Sequence, residues 1–260
     1  MATANDYSCF RYWGNPPYHV AVLHGGPGAA GSVGSLACEL GKFTGALEPF
    51  QSGHSIQEQL DELHQQIAQH ANSPVILVGH SWGAWLAFIF ASRFPSLVEK
   101  LILIAAPSFE ESYVAEMNRI RKVRISPAKQ ALIDRLSSNP NSKESFQRMG
   151  ELMSRIDSYN QLPIVDEIDF RPDIFSSIWN EAEKLRKENR FCNLALSIHC
   201  PVVAIHGDYD PHSWLGVKNP LEKWLNVFDF ILLEKCGHYP WKEKQSKDVF
   251  YEELIDQIRS

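Results

Sequence analysis

The sequence has no long apolar run. Crossing a bilayer as a helix takes about 20 consecutive apolar residues, and the longest apolar stretches here, near Val75–Val78 and Leu101–Ala106, have the length of buried strands. The first residues, MATANDYSCFRYWG, contain neither a basic segment nor an apolar one, so no secretory signal is expected. These absences predict a cytoplasmic protein with no membrane partner.

Paired cysteines and excess basic charge are also missing. The five cysteines are scattered and include no CxxC pair, which predicts reduced thiols rather than a disulfide framework or a zinc site. No HExxH or similar histidine spacing occurs either, so no metal is expected. The formal net charge of −6 offers no basic excess to neutralise phosphates, which argues against nucleic acid as a partner.

What the chain does contain is an alternation of strand and helix patterns, in 260 residues of which 44% are hydrophobic and 22% are charged. Strands are predicted at Tyr18–Leu23, Lys42–Leu47, Pro74–Val78 and Leu97–Ala106, and helices at Ser55–His70 and Ala84–Arg93. Strands that alternate with helices form parallel βαβ units. The expected fold class is therefore α/β, with a mostly parallel sheet flanked by helices.

The alternation stops after residue 107 and resumes at residue 196. Between these positions charged helical patterns dominate, at Tyr113–Val123, Pro127–Leu136, Lys143–Asp157 and Phe175–Asn189. Afterwards strands are predicted at Pro201–His206 and Phe228–Leu233, and helices at Asn219–Leu225 and Ser246–Ile258. Residues 1–107 and 196–260 are thus predicted to form one core, into which residues 108–195 are inserted as a helical segment.

The strongest chemical signal is Gly79-His80-Ser81-Trp82-Gly83, which fits the pattern G-x-S-x-G. It lies between a predicted strand and a predicted helix. A sharp turn at such a place holds the serine in a strained backbone conformation and projects its hydroxyl above the carboxyl ends of the strands. The flanking glycines allow neighbouring backbone to approach without a Cβ clash. Ser81 is therefore the candidate nucleophile.

A second signal is the loop HGGPG, residues 24–28, directly after a predicted strand. Acyl transfer passes through a tetrahedral intermediate, and fixed backbone N–H groups stabilise its oxyanion. Pro27 donates no N–H, so the predicted oxyanion hole consists of the N–H groups of Gly26 and of Trp82, the residue after the nucleophile. The alternatives are a plain tight turn and a phosphate-binding loop, and the second is weak here because Lys and Ser/Thr are not in P-loop spacing.

Together with IHGDYDP and CGHYPW near the end, these motifs resemble the α/β-hydrolase superfamily over nearly the whole chain, in its order of nucleophile, acid and base. The resemblance places the acid at Asp210, in G-x-x-D, with Asp208 as the competing carboxylate. It places the base at His238, in G-H-x-P, with His212 as the rival imidazole. HGGPG and a tryptophan after the serine are most similar to the branch that contains proline iminopeptidases.

The resemblance implies a serine hydrolase that cleaves an ester or amide bond of a small molecule through an acyl-enzyme, without a cofactor, and a helical cap formed by residues 108–195. His80 stands where the iminopeptidase branch commonly has glycine, which favours a general hydrolase. Two alternatives stay open. An aminopeptidase would need carboxylates that grip a free amine, for which Glu110, Glu111 and Glu116 are candidates, and a non-hydrolytic ligand receptor can share the fold. No pattern predicts the oligomeric state.

Overall fold

The structure is a computed structural model that describes residues 9–139 and 142–260. The stretch in which no secretory signal is expected lies mostly outside the described residues, because residues 1–8 are not among them. No helix in the described part of the chain has the length and apolarity that crossing a bilayer requires.

Seven strands form the main sheet. In chain order the strands of the described residues are β1 (Phe10–Trp13), β2 (Tyr18–Leu23), β3 (Ala29–Ala30), β4 (Gly45–Pro49), β5 (Val75–His80), β6 (Val98–Ile104), β7 (Asp169–Phe170), β8 (Val202–Gly207) and β9 (Phe228–Leu233). The main sheet has the order β1-β4-β2-β5-β6-β8-β9. The β1–β4 pairing is antiparallel and the other pairings are parallel. The predicted α/β fold with a mostly parallel sheet is confirmed.

Helices cover both faces of this sheet. In the described ranges they are α1 (Gly34–Leu40), α2 (Ile56–His70), α3 (Trp82–Arg93), α4 (Val114–Arg124), α5 (Pro127–Ser137), α6 (Lys143–Asp157), α7 (Pro172–Lys187), α8 (Arg190–Ala195), α9 (Leu215–Trp224) and α10 (Lys247–Arg259). Apolar residues of α2, α3 and α9 form one hydrophobic cluster with the sheet, and those of α1 and α10 form a second cluster. The sheet is thus enclosed between two layers of helices.

The central strands are buried along their whole length because both of their faces are covered. Every residue of β5 and of β8 is buried. Successive side chains of a strand point to opposite faces, so Leu77 belongs to the cluster with α2 and α3, whereas Ile76 and Val78 belong to the cluster with α1 and α10. This double burial is the physical reason that an unbroken apolar run predicts a parallel strand.

Two long helices lie almost where the sequence predicted them. Helix α6 covers the predicted range Lys143–Asp157. Helix α2 starts one residue later than predicted, because Ser55 is its N-cap: the Ser55 hydroxyl accepts the N–H of Glu58, and the Glu58 carboxylate accepts the N–H of Ser55. Reciprocal bonds of this kind satisfy N–H groups that a helix start leaves without intrahelical partners.

Several short elements were not predicted, namely β1, β3, β7, α1 and α8. Strands β3 and β7 have two residues each and pair with each other, so neither is long enough to show a periodic pattern in the sequence. The strand predicted at Lys42–Leu47 is found at Gly45–Pro49. Its pairing with β2 on one side and β1 on the other decides these bounds.

Helix α9 is a further correction to the sequence prediction. It was predicted at Asn219–Leu225 but starts at Leu215 and contains Pro220. A proline inside a helix removes one intrahelical hydrogen bond, so local sequence disfavours this placement. The first turn is held from outside, because the Gly216 carbonyl accepts the N–H of Phe109 at 2.9 Å.

The segment between β6 and β8 is helical, with α4 to α8 and the short strand β7. It docks on the core beside the Gly-rich loop of residues 24–28. Strand β7 pairs antiparallel with β3, and the N–H of Arg171 donates to the carbonyl of Gly28 at 2.8 Å. The helical segment therefore contacts that loop directly through its backbone.

Strand β4 carries a buried carboxyl group at Glu48. The indole N–H of Trp13 donates to Glu48 Oε2 at 3.0 Å, and the Arg11 guanidinium lies 3.8 Å from the same oxygen. Burial raises the pKa of Glu48 to about 7; the Trp13 hydrogen bond and the Arg11 charge lower it in part, and the neighbouring Asp166 raises it. The native pKa therefore lies above the ordinary value of 4.5.

Replacing Glu48 with glutamine is expected to stabilise the protein at alkaline pH. The pKa of Glu48 is higher in the folded protein than in the unfolded chain. The stability that Glu48 contributes is therefore present below its ordinary pKa and is lost as pH rises through about 7. The advantage of the variant in free energy of unfolding should grow by about 2–3 kcal/mol from pH 5 to pH 8. Urea unfolding of both proteins measures it. Glu252→Gln, the same replacement at an exposed position, is the matched control. Equal pH profiles for Glu48→Gln and the parent would contradict the prediction.

Candidate active site

Ser81 occupies the sharp turn between β5 and α3. Its backbone has φ 54° and ψ −118°, a conformation that costs on the order of 1–3 kcal/mol in a residue with a side chain. The turn is closely packed, since a Cβ added at Gly83 would lie 2.5 Å from the carbonyl oxygen of Leu23 and 2.6 Å from that of His24. The structure thus places Ser81 on the strand-to-helix turn that its motif predicts.

The imidazole of His238 joins Ser81 to Asp210. His238 Nε2 lies 3.0 Å from Ser81 Oγ, and His238 Nδ1 lies 2.7 Å from Asp210 Oδ2. A carboxylate accepts hydrogen bonds, so Nδ1 carries the hydrogen and Nε2 is left to accept from the hydroxyl. His238 is 5% and Asp210 4% exposed. Three residues from distant parts of the chain therefore form one hydrogen-bonded arrangement, called the triad below.

The Asp210 carboxylate is held in its charged form. Burial by itself would raise the pKa of Asp210, but the charge and hydrogen bond of His238, with smaller contributions from His206 and His212, keep this pKa well below its ordinary value. The second oxygen, Oδ1, accepts the backbone N–H of His212 at 2.9 Å. Asp210 is therefore an ionised acceptor that is fixed on both oxygens.

The two rivals named from the sequence do not occupy these positions. Asp208 is exposed and accepts the N–H of Cys236 at 3.2 Å, which makes it part of the turn. The His212 ring lies beside the His238 ring, with centroids 4.9 Å apart and the planes inclined by 32°, and its Nε2 lies 3.3 Å from the Arg121 guanidinium. The structure brings Asp210 and His238, rather than the rivals, into line with the serine.

Two further histidines hold the loops around the triad. His80 Nε2 lies 2.8 Å from the carbonyl oxygen of His238. Burial, with the nearby His238, holds the pKa of His80 well below its ordinary value, so a neutral ring donates this hydrogen bond. His24 Nε2 accepts the N–H of Gln51 at 3.3 Å, and burial lowers the pKa of His24 to about 4. Both rings act as neutral groups that hydrogen-bond the loops around the triad.

The Gly-rich loop of residues 24–28 passes next to the nucleophile. A Cβ added at Gly25 would lie 3.2 Å from the Cβ of Ser81. Gly26 has φ 46°, a conformation that glycine adopts without steric cost. Trp82 is the first residue of α3, and the first N–H groups of a helix have no intrahelical acceptor. The loop and the helix start therefore meet at Ser81.

Three charged residues beside His238 were not singled out from the sequence. Arg121 donates to the Asp157 carboxylate from Nε at 3.0 Å and from Nη2 at 2.6 Å. The Asp157 carbonyl accepts the N–H of His238 at 3.0 Å, and Glu243 Oε1 accepts the N–H of Gly237 at 2.9 Å. None of the three belongs to a local motif, so no sequence signal indicates these contacts.

Two of the three carboxylates that are candidates for binding a substrate amine pair with arginines instead. Glu111 accepts a hydrogen bond at 2.7 Å from buried Arg186. Glu116 pairs with Arg119 at 2.6 Å on the surface of α4. Glu110 is half-buried, just before the turn that leads into α4. A free amine would have to compete with an arginine at Glu111 and at Glu116.

Asp210, His212 and His238 also form a group whose possible ligand atoms lie within 4.8 Å of one another. Both oxygens of Asp210 already accept hydrogen bonds, from the His238 ring and from the His212 backbone. The positive charge of Arg121, 3.3 Å from His212 Nε2, opposes a second cation there. The expectation that the site holds no metal stays a prediction.

Comparison with known proteins identifies the family. The sequence profile of the alpha/beta hydrolase fold matches residues 18–245. The chain therefore belongs to the α/β-hydrolase family and is a hydrolase. The proline iminopeptidase of Saccharolobus solfataricus (strain ATCC 35092 / DSM 1617 / JCM 11322 / P2) is 26% identical over 226 residues, which cover 78% of this chain and 68% of that protein. The predicted resemblance to the iminopeptidase branch is confirmed.

Solved structures share the fold. VinJ superposes with a TM-score of 0.68 at 19% identity, over 96% of this chain and 94% of that chain. The proline iminopeptidase of Mycobacterium smegmatis gives a TM-score of 0.62 at 16% identity, over 96% of this chain and 93% of that chain. At these identities the likeness establishes the fold alone, and the chemistry has to be argued from the site.

Proposed function

We propose that this protein is a serine hydrolase that cleaves an ester or amide bond of a small molecule through an acyl-enzyme. The observation that carries the proposal is the triad, with His238 Nε2 at 3.0 Å from Ser81 Oγ and Nδ1 at 2.7 Å from Asp210 Oδ2. A serine hydroxyl is a weak nucleophile at neutral pH and becomes effective when a base within hydrogen-bond reach takes its proton.

Each member of the triad has a distinct role in this mechanism. His238 Nε2 takes the proton of Ser81 as Oγ attacks the substrate carbonyl, and it then gives that proton to the leaving group. Asp210 accepts the Nδ1–H, which fixes the tautomer and stabilises the imidazolium. In the second half-reaction His238 takes a proton from water, which attacks the acyl carbon, and gives that proton to Ser81 Oγ as the acid is released.

The N–H groups of Gly26 and Trp82 complete the proposed site as the oxyanion hole. The closeness of the Gly-rich loop to Ser81 and the position of Trp82 at the start of α3 support this role. The positive end of the helix dipole adds to the stabilisation of a negative oxygen. Loss of one such donor typically costs about 3–4 kcal/mol in the transition state.

We further propose that residues 108–195 form a cap over the pocket and that residues 1–107 and 196–260 form the catalytic core. The helices between β6 and β8, and their backbone contact with the Gly-rich loop, support this division. The ring of Trp179 on α7 lies parallel to that of Trp85 on α3, with centroids 6.2 Å apart. Because Trp85 is fully buried, this contact packs the cap onto the core.

Labelling with a fluorophosphonate probe tests the proposal directly. The probe should form one covalent adduct on Ser81, located by mass spectrometry, because it needs a serine activated by a base. The Ser81→Ala variant should not react. An adduct on another residue, or no adduct in protein that hydrolyses p-nitrophenyl esters, would overturn the nucleophile assignment. Tight ligand binding without turnover on a broad ester and arylamide panel would instead favour the receptor alternative.

An iminopeptidase-like aminopeptidase is the second candidate, favoured by the relative from Saccharolobus solfataricus. The pairing of Glu111 with Arg186 and of Glu116 with Arg119 speaks against a free carboxylate for the substrate amine. We therefore expect p-nitrophenyl esters to be turned over faster than proline arylamides. A higher kcat/KM for the arylamides, lost when their amine is acetylated, would decide for the aminopeptidase.

A further inference from the structure

Glu243 is a buried carboxylate five residues after His238, and the proposed mechanism gives it no role. It is 0% exposed. Its Oε1 accepts the N–H of Gly237 at 2.9 Å and the N–H of Tyr159 at 2.7 Å, and its Oε2 accepts the N–H of Asn160 at 2.7 Å. Three backbone donors thus converge on one side-chain charge.

These donors belong to two separate parts of the chain. Gly237 directly precedes His238 on the loop after β9, whereas Tyr159 and Asn160 follow α6 in the helical segment. The same part of the helical segment also binds the backbone of the base, because the Asp157 carbonyl accepts the N–H of His238 at 3.0 Å. The Glu243 carboxylate therefore ties the loop of the base to the helical segment.

The two backbones approach so closely that no side chain fits at Gly237. A Cβ added there would meet the Asp157 carbonyl and would lie 2.6 Å from Glu243 Oε1 and 2.6 Å from Ser158 Cα. Loops that carry functional residues are otherwise among the more mobile parts of a protein. Here the backbone next to His238 is packed and hydrogen-bonded at the same time.

We propose that Glu243 is a positioning residue for His238. Its charged hydrogen bonds hold the loop against the helical segment and so set the imidazole at 3.0 Å from Ser81 Oγ. The inference rests on the proposed function, in which His238 is the base. Charge-assisted hydrogen bonds are stronger than neutral ones, and a displacement of about 1 Å at a reacting group can lower a rate by about 100-fold.

The variant Glu243→Gln tests this role. Glutamine keeps the size of the side chain but turns one acceptor oxygen into an NH₂ group that faces a backbone N–H. We expect kcat for p-nitrophenyl acetate to fall about 10- to 100-fold with KM nearly unchanged, and fluorophosphonate labelling of Ser81 to slow by the same factor. The low-field proton resonance of the hydrogen bond between His238 and Asp210 should shift or broaden. Glu243→Asp, which keeps the charge, should lie between glutamine and the parent.

The matched control is Glu234→Gln, an exposed position after β9, which should keep the parent's kcat, labelling rate and resonance. A lower melting temperature of Glu243→Gln with unchanged kcat, labelling and resonance would mean a merely structural role and overturn the inference. Should the glutamine variant not fold, unchanged kcat and resonance in Glu243→Asp would overturn it equally. Turnover retained by Ser81→Ala would instead overturn the proposed function, so the two failures are distinguishable.

Discussion

Replacing Ser81 with alanine is expected to lower kcat for p-nitrophenyl esters by on the order of 10⁵- to 10⁶-fold. The change removes the oxygen that lies 3.0 Å from His238 Nε2, so no acyl-enzyme forms and only the oxyanion-hole N–H groups and substrate binding remain. Alanine keeps the Cβ, so the backbone at φ 54° is constrained as before and stability should change little. Release of p-nitrophenol under saturating substrate measures the loss.

Ser96→Ala is the matched control for this change. Ser96 is exposed, and its replacement should leave kcat and KM at the values of the parent protein. Substrate affinity of the Ser81→Ala variant, measured by equilibrium binding, should also stay close to that of the parent. Comparable turnover by Ser81→Ala and the parent would show that another group is the nucleophile.

The second large effect is expected for Asp210→Asn, a loss of about 10⁴-fold in kcat. An amide NH₂ facing His238 Nδ1 would move the ring hydrogen to Nε2, which could then no longer accept the proton of Ser81. The variant also lacks the negative charge that stabilises the imidazolium. Because the pKa of Asp210 is well below its ordinary value, protonation of this carboxylate in the parent should not contribute to the difference above about pH 5.

Asp208→Asn distinguishes this role from a general effect of charge in the loop. Asp208 lies two residues before Asp210 and is exposed. Among the hydrogen bonds described, its carboxylate accepts only the backbone N–H of Cys236, at 3.2 Å. Its amide variant should keep nearly all activity. If Asp208→Asn lost as much activity as Asp210→Asn, the assignment of the acid would be wrong.

The central part of the fold follows from local patterns in the sequence. An apolar run such as Val75–Val78 has to be covered on both faces, and the alternation with helices requires parallel strands. Strands β3 and β7 could not be predicted in this way, because they form by pairing with each other and have no sequence pattern of their own. Helix α9 begins ahead of its local signal because the Gly216 carbonyl is held by Phe109.

The candidate site divides in the same way. Ser81 could be predicted because the turn between strand and helix needs glycines at fixed positions before and after the serine, and the sequence shows them. Asp210 and His238 were predicted from the resemblance to the α/β-hydrolase superfamily, through motifs in the loops that follow β8 and β9. Asp157 and Glu243 were not identifiable, because their partners Arg121 and Tyr159 are 36 and 84 residues away in the chain.

The sequence by itself determined the alternation of strands and helices, the turn that exposes Ser81, and the loops that carry Asp210 and His238, since each depends on residues close together along the chain. Only the tertiary structure decided which carboxylate faces the imidazole and how Glu243 binds the helical segment to the loop of His238. Those contacts join segments that are far apart in the chain and meet only in the folded protein. The spacing of residues within one segment therefore cannot predict them.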